Sequence, residues 1–299
     1  MAAAIKAESA LPAPVPVAMK MWQLCLITAL VAVLYAGILV RLAGQWWSDP
    51  NFSHGIIVPF FAGYLVWRRR KQLAALPMQP SWTGILVLAF ALGLLVLGVL
   101  GAELFLSRTS LLLVIAGLVL LFLGWEHLTT VLFPWAFLWL MIPLPSLVFN
   151  QITLPLQLLA SKFATSLLQA AGVPVLRDGN VLQLPAMSLE VAEACSGIRS
   201  LLSLITLALI YSYLLERRRW VRVALVVIAV PIAVVANGFR IVGTGLCVHY
   251  WSPDRAEGFF HAFSGWIIFL ISFALLFLVH RAMGWFPDPH PSTQPERVA

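Results

Sequence analysis

WTGILVLAFALGLLVLGVL, residues 82–100, carries no charged side chain. At ~1.5 Å per helical residue it is long enough to cross a hydrocarbon core of about 30 Å. Further runs that are predominantly apolar, with at most one charged residue each, occupy 22–42, 54–67, 106–123, 128–148, 197–215, 220–238 and 262–280. Together they predict an all-α polytopic membrane protein of about eight transmembrane helices. The run at 54–67 is short and contains Pro59, so a kinked span or one that borrows Asn51 to His54 is expected. Of the 299 residues 61% are hydrophobic and 10% charged, more apolar surface than a soluble core of this size hides.

The formal charge of +7 does not indicate nucleic acid, because the basic residues cluster beside apolar runs. Arg68 to Lys71 follow the second run, Arg217, Arg218 and Arg219 separate the sixth and seventh, and Arg222 stands at the start of the seventh. The expected surroundings are membrane lipid. With these clusters, Lys20 and Arg281 on the cytoplasmic side, an even number of spans satisfies every charge signal. Both termini are then cytoplasmic, and residues 43–53, 101–105, 149–196 and 239–261 face outward. Residues 1–20 and 284–299 read as disordered cytoplasmic tails around a membrane domain at 21–283.

Two stretches in the outward-facing part need separate readings. In 152–171 the polar residues Gln157, Ser161, Lys162, Thr165, Ser166 and Gln169 recur at helical spacing, which predicts a helix lying in the outer interface. Residues 173–194 predict a small extracytoplasmic insert. Val175 to Leu184 alternate around Asp178-Gly179-Asn180 as in a hairpin, and a second strand is expected at Ser188 to Ala192.

Cys25, Cys195 and Cys247 are too few and too scattered for a disulfide framework or a paired-cysteine metal site, and no cofactor is called for. Any cysteine chemistry is that of a single thiol. Cys195 stands where an extended segment turns into a helix, with Arg199 one turn on, a setting that favours a thiolate. A small buried apolar residue is the competing reading of the same position. Arg240, in Asn237-Gly238-Phe239-Arg240, is a positive charge at an outward helix end. It is either paired for function or snorkelling to lipid phosphates. His261 opens the last span among aromatics, as an interfacial residue or as an acid and base. His54 competes with it from the same side of the membrane. Counting inward from the cytoplasmic arginines, about 20 to 22 residues reach each of Cys195, Arg240 and His261, so all three lie at one depth.

AEACSGIRSL at 192–201, NGFRIV at 237–242 and FHAFSGW at 260–266 resemble the three signature blocks of the exosortase and archaeosortase family. FSHGIIVPFFAGYLVWRRR, residues 52–70, is similar to that family's amino-terminal block, and the resemblance spans roughly 22–282. It implies a bacterial inner-membrane cysteine protease or transpeptidase, in sorting linked to the cell surface or exopolysaccharide. Its substrates would be exported proteins with a carboxy-terminal Pro-Glu-Pro motif, a membrane helix and a basic cluster, cleaved through a thioester that an unknown acceptor nucleophile resolves. In that frame Cys195 is the nucleophile, Arg240 the oxyanion stabiliser and His261 the acid and base, on the periplasmic face. Arg199, Ser196, Asn237 and His54 are the expected substrate-binding residues. A transporter or exopolysaccharide assembly partner, and a membrane acyltransferase using the same thiol, are the competing classes.

Overall fold

A computed structural model describes residues 21–190, 198–251 and 259–284. The tails at 1–20 and 285–299, the end of the insert at 191–194, and Cys195 and Ser196 lie outside the described residues. The chain divides into two compact units, residues 1–49 with 55–145, and residues 50–54 with 146–299.

In the first unit α1 (Met21–Ser48), α2 (Ile57–Arg68), α3 (Arg70–Ala75), α4 (Thr83–Leu100), α5 (Leu104–Phe122), α6 (Trp125–Thr130) and α7 (Leu132–Phe137) follow in order, and a 3₁₀ turn covers Leu138–Met141. α4 and α5 form a tight antiparallel pair, since a Cβ at Gly84 would overlap Leu121 and one at Gly117 would overlap Leu88. Small residues at the contact are how membrane helices approach closely. The Tyr35 hydroxyl ties α1 to α5 through Ser110 Oγ at 2.9 Å, while Ser110 itself donates to the Ser107 carbonyl at 2.7 Å.

The second unit opens with the first residues of a 3₁₀ turn at Pro50–Ile56 and continues with α8 (Ser146–Ala170). Then come β1 (Leu176–Asp178), β2 (Val181–Gln183) and β3 (Ser188–Glu190), and finally α9 (Ile198–Leu215), α10 (Arg219–Tyr250) and α11 (Phe259–Met283). The strands make an antiparallel sheet in the order β1-β2-β3, with Asp178 opposite Val181 and Leu182 opposite Leu189. The expected hairpin is present, and its two-residue loop has Gly179 at φ +61°, a conformation open to glycine.

Among the described residues six helices are long and apolar enough to cross a membrane, or seven if Leu132–Met141 and Ser146–Ala170 together make one span. The all-α polytopic class holds. The expected count of eight is not reached, because two of the apolar runs are broken. α2 has 12 residues, about 18 Å of helix. The run at 128–148 is divided into α6, α7 and a 3₁₀ turn ending before Pro143 and Pro145.

α8 divides its polar residues, with Lys162, Ser166 and Gln169 exposed and the others turned inward. Thr153, Gln157, Ser161 and Thr165 are buried together with Ala160, Ala164 and Leu168, while Leu147, Leu154 and Leu159 point outward. Gln157, Ser161 and Gln169 find partners in the insert that follows the helix. Asn180 Nδ2 donates to Gln157 Oε1 at 3.3 Å, Ser161 Oγ to the Gly179 carbonyl at 3.0 Å, and Gln169 Nε2 to the Val175 carbonyl at 3.2 Å. A membrane-facing helix with apolar residues outside and small polar residues inside satisfies both lipid and backbone.

α10 is the second correction. A span ending near 238, with a loop from 239, was expected, yet the helix continues to Tyr250. Its extra turns are held by protein, with Ile241 and Val248 sharing one core with Ala164 and Leu168 of α8 and Leu182 of the sheet. Arg240 therefore stands within a helix and not at its end.

Candidate functional site

α10 packs against α8, α9 and α11, and α9 also touches α11. One end of this group is locked by Glu216. Its Oε1 accepts from the backbone amides of Arg217 and Arg218 at 2.7 and 2.8 Å. Its Oε2 meets Arg218 Nη2 at 3.0 Å and His280 Nε2 at 3.2 Å, and Tyr211 closes on His280 Nδ1 at 2.6 Å. Arg222 Nε donates to the Glu216 carbonyl at 2.6 Å. Burial raises the Glu216 carboxyl pKa, but the hydrogen bonds from Arg218 and His280 outweigh it and bring it down to about 2.

From this lock the three helices measure the same height. Ile198 lies 18 residues before Glu216, Arg240 lies 18 after Arg222, and His261 lies 19 before His280. At ~1.5 Å per residue these are about 27, 27 and 29 Å. The first residue of α9, Arg240 of α10 and the first turn of α11 thus share a level, one hydrocarbon thickness from the Glu216 lock.

At that level Arg240 is half-buried and reaches across to α11. Its Nε donates to Ser264 Oγ at 3.4 Å, and a Cβ placed on Gly265 would lie 3.6 Å from the guanidinium carbon. Ser264 follows His261 by three residues, one helical turn. The NGFR sequence has a local reason at each position. Asn237 is 1% exposed, inside the helix group. A Cβ at Gly238 would overlap the Phe163 ring of α8, so only glycine admits this approach. Phe239 covers Phe163 edge-on, with centroids 5.4 Å apart.

Arg199 is the second residue of α9 and exposed. Cys195, outside the described residues, precedes the start of α9 by three. His54 is 7% exposed on the 3₁₀ turn and belongs to the same unit as α8 to α11, where its neighbour Phe52 packs at a tilt against Phe149 with ring centroids 5.6 Å apart. The structure thus brings together Arg240 and the helical turn that bears His261, and it puts His54 in their unit. Sequence reasoning missed Ser264 and Gly265 as the surface on which Arg240 rests, although both stand in the FHAFSGW block. Among the described residues no cluster of three or more His, Cys, Asp or Glu could hold a metal ion.

The fold defines a helical polytopic membrane protein, in which Arg240 of one span rests on Ser264 of the next. Within it, residues 46–278 match the model of a family described as Transmembrane exosortase (Exosortase_EpsH), so the chain belongs to the transmembrane exosortases. No curated protein and no solved structure matches the chain.

Proposed function

We propose that this exosortase is a membrane-embedded cysteine transpeptidase or peptidase acting on the carboxy-terminal sorting signal of exported proteins. The observation that carries the proposal is the contact of Arg240 with Ser264 and Gly265, one turn after His261, at the level where α9 begins three residues after Cys195. A guanidinium there suits the oxyanion formed when a thiolate attacks a peptide carbonyl. Cys195, ahead of a helix N-terminus, is the nucleophile. His261 protonates the leaving amine and then takes a proton from the acceptor amine, hydroxyl or water.

The substrate is a protein with a Pro-Glu-Pro motif followed by a membrane helix and a basic cluster. Attack by Cys195 forms a thioester to the amino-terminal part and releases the membrane-bound tail. Arg199, exposed on α9, pairs with the motif glutamate. Ser196, Asn237 and His54 complete the substrate surround. β3 is an edge strand that ends five residues before Cys195, so an extended motif could add to it and lead its scissile bond toward the thiol. The site faces the periplasm and both termini the cytoplasm, in keeping with the basic clusters. Residues 21–283 form the working domain, with 173–194 as its insert and polar tails on either side.

Coexpression with a Pro-Glu-Pro-tailed reporter tests the reading. Wild type shortens the reporter, and Cys195→Ala, Arg240→Ala and His261→Ala leave it full length. Normal processing by Cys195→Ala would end the proposal.

A further inference from the structure

The first unit holds a groove of about 500 Å³ between α2, α5, α6 and α7. Its wall is apolar, with Ala62, Gly63, Val66, Ala116 and Val131 among the lining residues. The one titratable lining residue is His127, 4% exposed, whose Nδ1 has no hydrogen-bond partner among the described residues. Trp135, also in the wall, already spends its indole N–H on the Leu112 carbonyl at 2.7 Å.

The basic run at 68–71 lies directly beside this groove, because Val66 before it and Leu73 after it both line the wall. Arg69 is spent on the Thr130 carbonyl, and Arg70 lies over the Trp67 ring with its guanidinium carbon 4.2 Å from the centroid. Exposed Trp67 and Tyr64 mark an interfacial depth. Arg68 and Lys71 are exposed, and among the described residues neither makes an ion pair or hydrogen bond.

We infer that this groove is a binding site for an anionic phospholipid, one acyl chain lying in the apolar channel and the phosphate facing Arg68 and Lys71. The size suits a single acyl chain. Charge separates the occupants. A basic pocket on the cytoplasmic side favours an anionic headgroup, whereas a sorting-signal tail ending in a basic cluster would meet like charge there.

Native mass spectrometry of the purified full chain, offered phosphatidylglycerol or phosphatidylcholine of equal chain length, tests this. The wild type should retain one phosphatidylglycerol with at least a tenfold preference. A Cβ on Gly63 meets nothing within 4 Å, so Gly63→Phe can direct its ring into the channel and should cut retention of either lipid about tenfold. Arg68→Glu with Lys71→Glu leaves Arg69 and Arg70 in place and should abolish the preference. If Gly63→Phe fails to fold, as read by its thermal unfolding, Ala116→Leu occludes the same channel. Equal retention of the two lipids by wild type, retention unchanged by the channel-filling substitution, or a preference unchanged by charge reversal would each overturn the assignment.

Discussion

Arg240 Nε donates to Ser264 Oγ at 3.4 Å, so a cation on one membrane helix rests on the first turns of another. The neighbouring Gly265 leaves the guanidinium its place, and this contact makes a graded prediction. Gly265→Ala adds a methyl at 3.6 Å from the guanidinium carbon, an ordinary contact, and should keep reporter processing within about threefold of wild type. Gly265→Leu puts a larger group where the guanidinium lies and should lower it at least tenfold, roughly the loss of 1.4 kcal/mol of transition-state stabilisation. Initial rates of reporter cleavage, at matched membrane levels of each variant, decide it.

Gly238 and Phe163 are coupled in the same way, through space that only one of them can fill. Gly238→Ala should destabilise by about 1–3 kcal/mol, because its methyl overlaps the ring. Phe163→Leu in the same chain should recover part of that loss, giving a non-additive cycle. Thermal unfolding in detergent of the two single variants and the double variant measures the coupling, and strict additivity would argue against the contact.

Glu216 predicts a pH dependence of stability. Its carboxyl goes from an ordinary 4.5 to about 2 in the folded chain, so the stabilisation is present above pH 4.5 and is lost as pH falls toward 2. A shift of that size corresponds to about 3 kcal/mol as an upper bound. Glu216→Gln should therefore lower the unfolding temperature near pH 7 and flatten its decline between pH 5 and 3. An identical acid profile in the variant would remove Glu216 as the lock.

Edge pairing at β3 predicts that a substitution just beyond it acts on substrate capture. Val191→Pro removes a backbone donor where the extended motif would pair. Processing should fall at least tenfold for a tailed reporter, while labelling of Cys195 by a small thiol reagent stays near wild type. Full processing by Val191→Pro would count against this mode of binding.

Much of this arrangement was legible in the residues. Long uninterrupted apolar runs such as 82–100 became helices close to their expected bounds, and Gly179-Asn180 marked the hairpin because a two-residue loop needs a glycine-tolerant position. The runs at 54–67 and 128–148 misled because apolar composition says nothing about continuity, which the 3₁₀ turn at Pro50–Ile56 breaks in the first and Pro143 and Pro145 limit in the second. The polar stripe of α8 reads alike whether water or a sheet satisfies it, and only the tertiary partners Asn180 and Gly179 distinguish the two. The continuation of α10 past Arg240 likewise depends on Ile241 and Val248 finding a core contributed by α8 and the sheet. Within the site, Arg240 was legible as a costly charge, but its seat on Ser264 and Gly265 was not, since no spacing rule joins residues on different helices.

Covalent chemistry at Cys195 is read most directly from the adduct itself. Wild-type enzyme and the Cys195→Ala variant would be incubated with a tailed substrate, denatured without reductant and examined by intact and peptide mass spectrometry. The expected result is a hydroxylamine-labile thioester joining Cys195 to the amino-terminal part of the substrate, absent in Cys195→Ala. Substrate cleavage that proceeds in Cys195→Ala, or an adduct on a different residue, would contradict it.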